Sequence, residues 1–399
     1  MARPLEGVKV LDFTRWQAGP HATVMLADLG AEVLKVEEPG DGDMGRQVGR
    51  QPDGFCAYFE ANNRSKKSMT LDLRAPQAKE IIRRLIQDYD VLTENFRPSF
   101  MDSIGVGYEE LRKMNPRLIY AATSGFGPKG PWRDRGNYDL VVQGWGGAMV
   151  AQGGGPDCPP QVVRFSLGDQ TGSLLFAFAV LGAVVARLRY GVGQRVDSSM
   201  VSAQLTMQHS LYVRFLRERR QPSIAPDSKL VAGIGPSWTW YQAGDGKWFT
   251  LAIIDPRQWS PFCQAIGRPD LITDPRSDTP FSRLENLDWV YAELTEKFKE
   301  QPRSHWLECF WSNKIVAGPI NDIASVVDDQ QVWVNDYLVM QPHPHFGEIG
   351  VVGIPYSLSE TPVSVGPPAP ELGQHTEEVL LQYGYTWDDI ARFRDAGAI

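Results

Sequence analysis

The first 125 residues alternate between short β-branched runs and helical patterns, and that alternation restricts the fold more than any other feature of the chain. "GVKVLDF" (7–13) is a short apolar run of strand type. The next segment, "GPHATVMLADLG", spaces its apolar residues as a helix does, with Pro20 near its start and Gly30 at its end. "AEVLKVE" (31–37) reads as a second strand, and it is followed by a helix over 76–88 and strands over 90–95 and 117–123. Strands separated by helices line up in parallel, so the fold class is α/β with a doubly wound sheet. A buried apolar helix is expected over about 170–189, then a strand in "GVGQRVDSSM" and a helical stretch over about 200–219.

Past residue 220 the character changes. "RQPSIAPDSKLVAGIGPS" (220–237) has the Pro, Gly and Ser density of a connector. "WTWYQAGDGKWFTLAII" predicts a hairpin turned at Gly244-Asp245-Gly246, and amphipathic helices fill roughly 256–312. These features mark a second, smaller domain of α+β type. From 342 the chain is proline-rich, and it ends in a short helical tail.

Charge sets the next limit. Forty Lys and Arg stand against 48 Asp and Glu, a formal net charge of −8. Such a chain is not built to hold nucleic acid, whereas a small anion needs only local basic groups or backbone N–H donors. Cys56, Cys158, Cys263 and Cys309 lie far apart with no CxxC pair, which fits reduced thiols and no zinc cluster. "MARPLEGVKVLDF" lacks the apolar core of a signal peptide, and the longest apolar stretch, Leu174 to Ala186, is too short to span a bilayer. The expectation is a soluble cytoplasmic protein with no membrane partner.

Several motifs offer chemistry. "GFGPKG" (125–130) matches GxGxxG after a strand, but Pro128 and Pro131 oppose the helix that a dinucleotide fingerprint must open. His343 and His345 in "HPHF" are two metal-type ligands with nothing nearby to complete a site, and a surface strand explains them. No GxSxG elbow or Ser–His pattern is present. "NNRSKKS" (62–68) is a basic run that reads as a solvated turn before a strand over 68–73, or as a docking patch for phosphate groups. "QGWGGAMVAQGGGP" (143–156) holds six glycines, which serve either close backbone packing or a ligand beside bare amides.

In "SLGDQTG" (166–172) one carboxylate, Asp169, stands between Gly168 and Gly172 at the mouth of the long apolar helix. Local chemistry gives it two readings. Asp is among the best helix N-caps, and a carboxylate beside open glycines is also a candidate nucleophile, held ionised by the helix terminus.

The segments "LEGVKVLDFTRWQAGP", "LADLGAEVLKVEEPGDGDMGR", "NRSKKSMTLDL", "DVLTENFRP", "GYEELRKMNPRLIYAATSGFG" and "SLGDQTGSLLFAFAVLGAVVAR" together resemble the class III CoA-transferases. That family includes formyl-CoA:oxalate transferase and carnitine CoA-transferase. The resemblance covers nearly the whole chain. It implies a Rossmann-like large domain from both chain ends (1–200 and 325–399), linkers at 201–224 and 313–324, a small α+β domain at 225–312, and an interlocked, ring-like homodimer. It implies an enzyme without a permanently bound cofactor, acting on acyl-CoA and small carboxylic acids. Asp169 matches the family nucleophile, which forms an acyl-aspartyl anhydride and then an aspartyl-CoA thioester. Gln17 matches a glutamine beside the acyl group, flanked by Trp16 and Ala18. Leu71, Arg74, Asn95 and Phe96 fall where relatives line the CoA site, and Tyr138 falls near the acceptor, with Asp139 in place of a glutamate. Gly233 and Gly235 stand where relatives carry a glycine run over the active site.

Two positions depart from the formyl-CoA enzyme. Glu38 replaces an arginine near the adenine, and Gly136 replaces a lysine. The related α-methylacyl-CoA racemases place a catalytic histidine where this chain has Asn137, and an amide is no base at neutral pH. A non-catalytic subunit of a two-protein transferase is the other alternative, opposed by the presence of Asp169 and Gln17. Arg15, Arg46 and Arg164 are candidates for binding a second carboxylate.

Overall fold

Six of the expected strands form one sheet in the order β3-β2-β1-β4-β5-β6, every pair parallel. They are β1 (Lys9–Asp12), β2 (Glu32–Glu37), β3 (Lys66–Thr70), β4 (Val91–Glu94), β5 (Ile119–Ser124) and β6 (Gln194–Ser199). The computed structural model describes residues 2–220 and 235–399. These fall into two compact units, 1–222 with 333–399, and 223–332.

In the first unit the helices are α1 (Ala18–Asp28), α2 (Ala57–Asn63), α3 (Pro76–Leu85), the single turn α4 (Phe100–Ser103), α5 (Tyr108–Met114), α6 (Asp139–Trp145), α7 (Ala148–Gly153), α8 (Leu167–Tyr190), α9 (Met200–Met207) and α10 (His209–Glu218). Alternate strand residues feed two cores. Val10, Val33, Val91 and Ile119 pack with Leu26 of α1 and Phe176 and Val180 of α8. Leu11, Leu34, Leu92 and Tyr120 pack with Ile81 of α3, Leu111 of α5, and Leu380 and Phe393 from the C-terminal helices Thr376–Gln382 and Trp387–Asp395. Both faces are apolar because both are covered, as a doubly wound sheet requires. Order reverses between β1 and β4, and at such a switch point the outgoing loops of a doubly wound sheet diverge.

The second unit carries an antiparallel sheet of β7 (Trp238–Gln242), β8 (Trp248–Ala252) and β9 (Ala317–Pro319). Its helices include α11 (Trp259–Ala265), α13 (Leu287–Phe298) and α14 (Arg303–Ser312), with α12 (Pro280–Glu285) between the first two. Tyr241, Phe249, Phe262, Phe298 and Phe310 form its core. Residues 313–324, expected as a linker, contribute β9, because pairing with β8 satisfies backbone that a free linker leaves to water. Of the other expected linker, residues 201–207 and 209–218 are helical, and residues 221–224 lie outside the described set.

Two further expectations need correction. At 24 residues α8 is longer than the apolar run suggested and, by length and composition alone, is long enough to span a bilayer. It is also buried on one side only: Leu174, Phe178, Val185 and Leu188 are 52–74% exposed. The run at 62–68 is no solvated turn. Asn62, Asn63, Arg64 and Lys66 are buried, with Arg64 paired to Asp28 at 2.7 Å and Lys66 to Asp12 at 3.2 Å. Only Lys67 of its basic residues faces outward, paired with Glu378. No helix follows "GFGPKG" until α6, and a Cβ on Gly125 would fall 2.2 Å from Asn137 Cγ, so the glycine there is a packing requirement.

Candidate active site

Asp169 is not the cap of α8. Ser166 holds the N-cap position in left-handed backbone (φ +54) and makes no side-chain cap, while Asp169 lies within the first turn. The cap comes from α6. Asp139 Oδ1 accepts the N–H groups of Gly168 at 2.6 Å and Asp169 at 3.3 Å. Asp139 Oδ2 accepts from Gln143 Nε2 at 2.7 Å. That buried amide in turn donates to Val163 C=O and accepts from Val163 N–H, which fixes the approach to α8.

This arrangement sets the electrostatics of Asp169. Burial raises its pKa, the nearby Asp139 carboxylate raises it further, and together they push it up to about 7. The expectation of a carboxylate held ionised by the helix terminus is therefore reversed. Desolvation and a like charge outweigh the helix dipole, which is worth at most about 2 kcal/mol. The flanking glycines also have another role. A Cβ on Gly168 would meet Asp139 Oδ1 at 3.0 Å, and one on Gly172 would meet Met200 Cγ at 3.3 Å, so these positions are tight and give no open space.

The loop from β1 into α1 meets this turn. Ala18 packs with Val142 of α6 and Met200 of α9, the side chains that also abut Gly168 and Gly172. Gln17 is buried at the N-terminus of α1. Trp16 has φ +68, a left-handed conformation that costs a non-glycine residue on the order of 1–3 kcal/mol. Its ring meets Tyr138 edge-on at 5.8 Å. Trp16, Ala18 and Tyr138 are thus brought to the first turn of α8.

Two residues that sequence reasoning missed join them. Tyr58 of α2 is near enough to Asp169 and Asp43 that, after burial, both carboxylates raise its pKa. Asp43 is fully buried, accepts from Trp16 N–H at 3.0 Å and pairs with Lys35 at 2.8 Å. Asp43 has a sequence signal, a carboxylate beside glycine in "PGDGDMGR", whereas Tyr58 sits in an ordinary helical pattern without one.

The remaining candidates lie in the loops that leave β1 and β4 or apart from them. Glu38 stands 3.6 Å from both Arg15 and Arg74, and Arg15 lies over the Phe96 ring at 5.3 Å. Asn95 turns its amide onto the backbone of Arg15. Leu71 is wholly buried in the core beneath, so its side chain presents nothing at the surface. Arg46 is bound by both carboxylate oxygens of Glu37 at 2.8 Å, which removes it as a free anion receptor, and Arg164 is exposed. Gly235, with φ +101, belongs to the second unit, and Gly233 lies outside the described residues. Asn137 points its amide at Met200 Sδ at 3.1 Å and supplies no base.

Comparison with known proteins identifies the family. Residues 5–376 match CoA-transferase family III. The chain is 34% identical over 412 residues to formyl-CoA:oxalate CoA-transferase of Streptomyces coelicolor, covering 100% of both. It is 35% identical over 402 residues to succinyl-CoA–D-citramalate CoA-transferase of Chloroflexus aurantiacus, covering 98% of this chain and 96% of that one. Among solved structures, a CAIB/BAIF family protein from Brucella suis superposes with a TM-score of 0.85 at 30% identity, over 96% of this chain and 100% of the other. A hypothetical protein from Mycobacterium tuberculosis gives 0.82 at 33% identity, over 94% and 99%.

Proposed function

This chain belongs to CoA-transferase family III, and on that premise we propose that Asp169 carries an acyl group and then CoA between a thioester donor and a carboxylic acid acceptor. The observation that supports this most is the seat of Asp169: a partly buried carboxylate in the first turn of α8, its N–H held by Asp139, in a turn whose glycines abut the same Val142 and Met200 that Ala18 packs against. Ionised Asp169 attacks the thioester carbonyl, the C–S bond breaks, and CoA leaves as thiolate from an acyl-aspartyl anhydride. The thiolate attacks the aspartyl carbonyl, releasing the donor acid and leaving an aspartyl-CoA thioester. The acceptor carboxylate attacks that thioester to give a second anhydride. CoA returns to its acyl carbon, frees Asp169 and departs as the new acyl-CoA. No step consumes water or a redox equivalent, and neither a metal nor a permanent cofactor is needed.

Gln17, buried at the N-terminus of α1, donates its amide N–H to the developing oxyanion. Arg15 and Arg74, both paired with Glu38, offer cations for the phosphates of CoA, and Phe96 offers an aromatic face. Tyr138, exposed and against Trp16, borders the acceptor. The named relatives act on small acids, oxalate and D-citramalate, which supports a small carboxylate here, with succinyl-CoA and a dicarboxylic or hydroxy acid as first choices. Two copies of the chain cover the apolar side of α8 in the interlocked homodimer that the resemblance implies. The four free cysteines suit a cytoplasmic setting.

The test is direct. Asp169→Ala abolishes CoA exchange, measured by mass spectrometry over a panel of succinyl-, formyl- and acetyl-CoA with carboxylic acids, and its melting temperature stays close to wild type. Hydroxylamine added with acyl-CoA converts Asp169 to a hydroxamate in the peptide map. An unmodified Asp169 peptide from turning-over enzyme would count against the covalent route.

A further inference from the structure

The turn between β1 and α1 is held by side chains at every step. Asp12 Oδ1 accepts from Thr14 N–H at 3.0 Å, and Lys35 Nζ donates to Thr14 C=O at 2.8 Å. Asn95 Oδ1 accepts from Arg15 N–H and Asn95 Nδ2 donates to Arg15 C=O, both at 2.8 Å. Asp43 Oδ1 accepts from Trp16 N–H at 3.0 Å, and its Oδ2 binds Lys35, which closes the loop. Lys35 and Asp43 are fully buried, so neither is a surface group that happens to lie nearby.

A short loop at a sheet edge does not need this, since water satisfies its backbone at no cost in buried charge. What does need it is the left-handed Trp16, which persists only where its surroundings over-determine it. The rotation of Trp16 sets the direction in which the next residue, Gln17, leaves the backbone. We propose that Asn95 and the Lys35–Asp43 pair form a clamp on the Thr14–Trp16 turn, positioning residues that act on turnover through Gln17. The inference rests on the reading that Gln17 stands beside the reacting acyl group. It gives Asn95 a task other than contact with CoA, because both ends of its amide already face Arg15.

The test is a double-mutant cycle on kcat, using the acyl-CoA and acid of highest turnover in the panel above. Asn95→Ala lowers kcat by about tenfold or more, because misplacing a reacting group by an ångström costs up to about a hundredfold, while KM for acyl-CoA moves less than about threefold. In the Gln17→Ala background the same substitution lowers kcat by less than about threefold, since the group it positions is gone. Asp43→Asn keeps an acceptor for Trp16 N–H but loses the charge facing Lys35, and it repeats the pattern should Asn95→Ala not fold. Losses that multiply in the double variant overturn the clamp. So does wild-type kcat in Asn95→Ala, and if Asp169→Ala is then inactive the reading of Asp169 stands. Wild-type kcat in Gln17→Ala overturns both the role of Gln17 and the clamp.

Discussion

At the scale of single residues, Asp139 does two opposed things to Asp169. It organises the first turn of α8 by taking two N–H groups, and its charge makes ionisation of its neighbour harder. A nucleophile must be ionised to attack, so kcat/KM for acyl-CoA rises with pH up to about 7 and is level above it. Asp139→Asn keeps the acceptor oxygen for the cap and removes the like charge. The expected outcome is a rising limb displaced to lower pH, with burial, the larger cause, keeping it above the ordinary carboxylate value; a pH–rate profile of both enzymes checks it. The candidate nucleophile was legible in "SLGDQTG", but its partner was not, because the two carboxylates are 30 positions apart in sequence.

At the scale of elements, the first three strands carry a ladder of buried charge beneath the site. Asp12 of β1 accepts from Lys66 of β3 and from the hydroxyls of Thr14, Thr23 and Thr93. Burial alone would raise its pKa, yet Lys66, Lys35 and the hydroxyls of Thr14 and Thr23 hold it below the ordinary carboxylate value. Burial likewise brings Lys66 down to about 8 against the opposing pull of Asp12. Removing one partner of such a pair leaves an uncompensated charge, so Lys66→Met destabilises the protein by about 3–5 kcal/mol, read from urea unfolding. An unfolding midpoint equal to wild type would show that the hydroxyls suffice for Asp12. In sequence Lys66 looks like part of a solvated basic turn, while Lys35 falls in the strand expected over 31–37. Nothing local distinguishes a cation bound for solvent from one that a neighbouring strand will neutralise.

At the scale of the whole molecule, the long helix α8 joins two surfaces. Phe176 and Val180 face the sheet, whereas Leu174, Phe178, Val185 and Leu188 stay exposed. An apolar row of that size is normally covered. The homodimer proposed above predicts that wild type sediments as a dimer at micromolar concentration, and that Phe178→Asp shifts it toward monomer with loss of exchange activity. Unchanged sedimentation of that variant would place the subunit contact elsewhere. Sequence periodicity identified α8 as apolar but overstated its burial, since an apolar residue left exposed on the chain looks the same in sequence as one buried within it.

Alternation of β-branched runs with helical spacing by itself determined the parallel sheet and the order of its elements, because strand and helix preference act over a few residues. The combination of short motifs likewise determined the family and pointed to Asp169. Only the tertiary structure decided that Asp139 caps α8, that Asp43 holds the backbone of Trp16, that Tyr58 lies near Asp169, that Asn95 faces Arg15, and that burial and Asp139 raise the pKa of Asp169. Each of these depends on desolvation or on a hydrogen bond between residues distant in sequence, and such energies exist only once the chain has brought the groups together.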